Sequence, residues 1–159
     1  MPFDAAHLHL MVNHFPVVLS IVGMASLAVG AVTRRDFYWR AGLILMVLAA
    51  IAAGVAILTG ESASDEIRQR AFVVRGTIGA HSSAAYAALW ALLVAGVISG
   101  YAWWSARARE VMALPAWLRE LVLILALVGA SLVSYAAYRG GIIVYDAPVL
   151  QTLRAPSAP

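Results

Sequence analysis

AAHLHLMVNHFPVVLSIVGMASLAVGAVT, residues 5–33, contains no Asp, Glu, Lys or Arg. A charge-free run of this length exceeds the roughly 18–20 residues that a helix needs to cross a hydrocarbon core of about 30 Å. Three further stretches read the same way: Ala41–Gly60, Gly76–Ala106 and Leu121–Tyr138. Lipid offers the backbone no hydrogen-bond partner, so each run must satisfy its N–H and C=O groups within itself, as a helix. The sequence therefore predicts an all-α fold, an integral membrane four-helix bundle. Spans of about 8–33, 41–60, 77–104 and 118–138 form a single domain over residues 1–150, and residues 151–159 form an extended C-terminal tail.

Composition agrees with this reading. The 159 residues are 63% hydrophobic and 12% charged, whereas a soluble domain carries about 25% charged residues. Asp4 stands where a cleavable signal peptide would be basic, so the first run reads as a span. The absence of cysteine excludes disulfides, thiolate metal ligands and iron–sulfur clusters, and the absence of CxxCH excludes the usual covalent haem attachment. All eleven basic residues are arginines. They are spread over the loops, which suits topology signals and not a nucleic-acid surface.

Four spans place both termini on one side. Arg34, Arg35 and Arg40 follow span one, and Arg107, Arg109 and Arg119 lie between spans three and four. These compact clusters favour a cytoplasmic position for the two loops, with both termini on the outer (periplasmic) side of a bacterial inner membrane. Phe37, Tyr38 and Trp39 in the first loop, and Trp103, Trp104 and Trp117 around the second, are expected at headgroup level. Small residues four apart (Ser26 and Gly30, Ala50 and Gly54, Gly96 and Gly100, Ala130 and Ser134) would let helix backbones approach closely.

All four histidines fall toward the terminal side. Span one brings His7, His9, Asn13 and His14; span two ends in Thr59, Gly60 and Glu61; span three carries His81 near its start; span four ends at Tyr138, Arg139 and Gly140. Ionisable groups are costly inside a membrane and are retained there for function or for partnered packing. His14 lies 19 residues from Thr33, about 28 Å along a helix, and His81 lies 22 residues from Trp103, about 33 Å. His14 and His81 are thus expected at matching depth on spans running in the same direction, as two axial ligands of a haem b would be. Pro16 lacks an N–H and disfavours helical geometry at Phe15, which predicts a kink, or a regular helix that starts only after Pro16.

The motifs HLHLMVNHFP (His7–Pro16), LTGESASDE (Leu58–Glu66), GAHSSAA (Gly79–Ala85) and RGGIIVY (Arg139–Tyr145) carry a resemblance. The chain resembles uncharacterised bacterial four-helix membrane proteins with HLHLLLNHFP, TGEPAEE and HEEAA-type motifs, related to the family called domain of unknown function 2231. The resemblance implies recurrent polar positions at His7, His9, Asn13, His14, Thr59, Glu61 and His81. It implies no activity. Ser82 and Ser83 depart from the two acids of that pattern, and neutral serines suit a haem pocket better than a carboxylate-rich metal site.

Three functions follow as expectations. The first is a haem-b electron carrier or redox subunit, with His14 and His81 as axial ligands, His9 or Glu61 orienting an imidazole, and Arg75 or Arg139 pairing with propionates. The second is a non-haem metal site of His9, His14, His81 and Glu61. The third is a cofactor-free accessory subunit of a larger membrane assembly. Partners would be the lipid bilayer and other subunits of a redox complex or an extracytoplasmic electron carrier. Nothing supplies the nucleophile and base of a hydrolase, so electron transfer is expected in place of stand-alone catalysis.

Overall fold

The computed structural model describes residues 5–68, 75–109, 111 and 113–145. The residues at 151–159, read above as an extended tail, lie outside the described residues. Five helices follow in order: α1 (Ala5–Val12), α2 (His14–Thr33), α3 (Asp36–Arg68), α4 (Arg75–Ala106) and α5 (Ala116–Tyr145). Together α1 and α2 make the first of four helices long and apolar enough to cross a membrane; the others are α3, α4 and α5. The break falls at Asn13, whose N–H still reaches His9 O at 2.9 Å. Pro16 therefore sits in the first turn of α2, where its missing N–H removes a donor with no partner inside that helix. The boundary between α1 and α2 thus lies three residues before the proline, and Asn13 itself keeps helical backbone angles, φ −63° and ψ −18°.

Helices α2, α3, α4 and α5 form a closed ring in which each packs on its two chain neighbours and α2 packs on α5; α1 packs on α3. Spans one and three therefore face each other across the diagonal. Leu27, Leu43, Met46, Leu92 and Val122 fill the middle and are essentially inaccessible. The outer surface is also apolar: Val97, Trp90, Ile124 and Ile51 are each at least 60% exposed. In water such a surface would drive association; in lipid it is what solvation requires.

Close approach is set by glycine. A Cβ on Gly42 would stand 2.6 Å from Leu27 Cγ and 2.9 Å from Gly23 O, and one on Gly96 would stand 2.6 Å from Ala50 Cβ. These contacts weld α2 to α3 and α3 to α4. Of the expected small-residue pairs, Ser26 donates to Tyr38 O at 2.9 Å and Gly30 lies against Trp39, whereas a Cβ on Gly54 would meet nothing within 4 Å. Trp39 is a packing residue, 5% exposed, while Phe37, Trp104 and Trp117 stand outside, as headgroup-level residues do.

The helices outlast the charge-free runs. α3 continues through Glu61 and Asp65 to Arg68, and α5 passes through Gly140 and Gly141 to Tyr145. Charge marks where hydrocarbon stops being tolerable, and a helix can continue past that point into the interface. At the other end Arg34 terminates α2 with φ 55°, a left-handed conformation that costs a side-chain-bearing residue about 1–2 kcal/mol.

Candidate imidazole site

The histidine end of the bundle brings together one residue from each span. His9 on α1 places Nδ1 3.2 Å from Thr59 Oγ1 on α3. Thr59 Oγ1 also lies 3.1 Å from both Val55 O and Ala56 O. Those carbonyls only accept, so the single hydroxyl hydrogen goes to them and the oxygen accepts from His9 Nδ1–H. On α4, His81 Nδ1 is 3.0 Å from Ala136 O of α5. A carbonyl cannot donate, so His81 also carries its proton on Nδ1. In that tautomer Nε2 is the acceptor nitrogen of each neutral ring.

The two rings approach edge to face, with centroids 6.4 Å apart and planes inclined by 69°. Both are half-buried. Each lies against a glycine: a Cβ on Gly60 would fall 2.9 Å from His9 Cε1, and one on Gly140 would fall 3.0 Å from His81 Cε1. Two glycines on α3 and α5 thus make room for two imidazole edges on α1 and α4. Beside Thr59, a groove of about 400 Å³ between α1 and α3 is lined mainly by apolar residues, among them Leu8, Val55 and Leu58.

The structure places His9, and not His14, against His81. His14 is exposed, and its Nδ1 donates to Leu10 O at 2.8 Å within its own chain segment. His7 is exposed as well, and Asn13 occupies the helix break. Glu61 accepts from the Tyr86 hydroxyl on α4, on the exposed side of the bundle. Arg139 donates to Tyr135 OH at 3.5 Å, one turn earlier on α5. Arg75 opens α4, and its side chain lies outside the described residues. Ser83 bonds back to Gly79 O at 3.0 Å. Among the described residues no three of His, Asp and Glu converge as metal ligands, so the expected set of His9, His14, His81 and Glu61 is not gathered.

Four participants escaped the sequence reading: the Ala136 carbonyl, Tyr86, and the packing roles of Gly60 and Gly140. A backbone carbonyl has no sequence sign. Gly60 and Gly140 were visible as glycines at the correct end, and the sequence signal was their depth, level with a histidine on a neighbouring span.

The model of a family described as predicted membrane protein, domain of unknown function 2231, matches residues 5–152. The chain belongs to this family. The match covers all four spans and includes both imidazoles, so the His9–His81 pair lies within the family's own domain. No curated protein and no solved structure matches the chain.

Proposed function

We propose that this protein is a haem-b-binding electron-transfer protein of the bacterial inner membrane, with His9 and His81 as the residues that would hold the iron. The observation that carries the reading is the pair of neighbouring imidazoles on diagonal spans, each anchored to another helix through Nδ1. The ring centroids lie 6.4 Å apart, close enough for both imidazoles to serve one group. Haem would supply one-electron redox chemistry.

The protein's own residues do the positioning. Thr59 and the Ala136 carbonyl fix each ring's tautomer and raise the basicity of Nε2, as ligand-supporting hydrogen bonds do. Gly60 and Gly140 allow the rings to stand where they do. The apolar groove between α1 and α3 adjoins this site at Thr59. Arg139 and Arg75, toward the same end, are the residues assigned to the propionates. The arginine clusters of the two loops at the other end support an outer position for this end and both termini. Electron partners are then other subunits of a membrane complex or an extracytoplasmic carrier.

One observation favours a second reading. Each imidazole already joins two helices, His9 from α1 to α3 and His81 from α4 to α5, as a cofactor-free clasp in an accessory subunit would. A reduced-minus-oxidised absorption spectrum of the purified protein separates the two. The haem reading requires a Soret band in wild type and in His14→Ala, diminished or shifted in His9→Ala and His81→Ala. Wild type purified without haem, with both variants merely less stable, establishes the clasp instead. Elemental analysis showing stoichiometric metal without a Soret band would point to a non-haem ion on the same two imidazoles.

A further inference from the structure

At the opposite end of the bundle, the turn between α2 and α3 and the segment leading into α5 enclose a cavity of about 200 Å³. It is lined by Arg34, Asp36, Trp39, Val111, Leu114 and Arg119, among others. We infer that this cavity binds the phosphate headgroup of an anionic phospholipid.

Charge and size agree. Two arginines and one aspartate are the charged residues of the lining, a net positive set, and arginine's planar fork suits phosphate oxygens. The volume equals about seven waters, enough for a phosphodiester and its glycerol carbons. Three other arginines at this end bond to backbone carbonyls. Arg40 Nη2 donates to Arg109 O at 2.8 Å, Arg109 Nη1 to Ala113 O at 2.9 Å, and Arg107 Nη1 to Trp104 O at 2.6 Å while lying over the Trp104 ring. Arg40 thereby ties α3 to Arg109, and Arg109 reaches Ala113, the residue before Leu114 of the lining.

Depth selects lipid over a soluble anion. Exposed Phe37, Trp104 and Trp117 ring this end at headgroup level. The buried indole of Trp39, with Val111 and Leu114, gives the apolar wall that a glycerol and the start of an acyl chain require. Basic pockets between spans are where anionic headgroups bind.

The test uses the full-length protein in phosphatidylcholine-containing micelles, titrated with phosphatidylglycerol and read by native mass spectrometry and thermal melting. Wild type should retain one phosphatidylglycerol and melt higher. Arg34→Asn, which suits the left-handed turn, and Arg119→Gln should each weaken retention about fivefold. Arg107→Gln should retain it. Equal retention by wild type and the double variant would overturn the site. A melting shift produced by inorganic phosphate, lost in the two variants, without phosphatidylglycerol retention, would overturn the lipid assignment. None of these readouts depends on haem, so failure here leaves the reading of the histidine end untouched.

Discussion

Replacing Gly60 with alanine tests the histidine end through a single methyl group. In a helix interior, Gly→Ala normally gains up to about 1 kcal/mol from backbone propensity. At Gly60 the new Cβ would lie 2.9 Å from His9 Cε1, well inside the roughly 3.5 Å at which carbon atoms rest. The ring has little room to retreat, with Thr59 at 3.2 Å from Nδ1 and the His81 ring beyond it. Overpacking of this kind costs about 1–3 kcal/mol, and release of the Thr59 bond costs about 0.5–1.5 kcal/mol. Gly60→Ala should therefore destabilise by about 1–2 kcal/mol net of the propensity gain. Gly54→Ala, on the same helix with nothing within 4 Å, should show only the gain. Dodecyl sulfate titration of the solubilised protein, followed by helicity, measures both. The decisive arm is the His9→Ala background, where Gly60→Ala should become as benign as Gly54→Ala. Persistence of the full penalty without His9 would refute the packing argument.

Gly42→Ala should cost more than Gly60→Ala, about 3 kcal/mol, because the new methyl meets the Gly23 carbonyl as well as Leu27 and backbone cannot step aside; the same titration reads it. Arg40→Ala removes the bond to Arg109 O, so a loss of about 1 kcal/mol and faster proteolysis between residues 107 and 115 are expected, and an unchanged cleavage rate would contradict the clamp. Orientation is testable cleanly because the chain has no cysteine. An impermeant maleimide should label Gln69→Cys in intact spheroplasts and Ala108→Cys only after lysis; the reverse pattern would invert the proposed topology.

The bundle was legible in residues 5–33, 41–60, 76–106 and 121–138 because lipid forces charge-free runs into helices. Helix length was not, since Glu61, Asp65 and Arg139 end the hydrocarbon stretch without ending α3 or α5. Measured from the inner ends, His14 and His81 look level, yet His14 is exposed on α2 and His9, five residues earlier, meets Thr59. Counting residues along a span resolves depth only to about one turn, roughly 5 Å, and His9 and His14 differ by little more. The clustering of polar groups at one end was readable from composition. The choice of imidazole depended on which face of the first span meets α3 and on the Ala136 carbonyl, which side-chain chemistry does not reveal.

The most direct measurement of the central claim is low-temperature electron paramagnetic resonance of the oxidised protein in bilayers. Two imidazoles on one haem iron should give a low-spin ferric signal in wild type and in His14→Ala, lost or converted to high spin in His9→Ala and in His81→Ala. The same low-spin signal surviving in both of those variants, or wild type that binds no haem, would contradict the account.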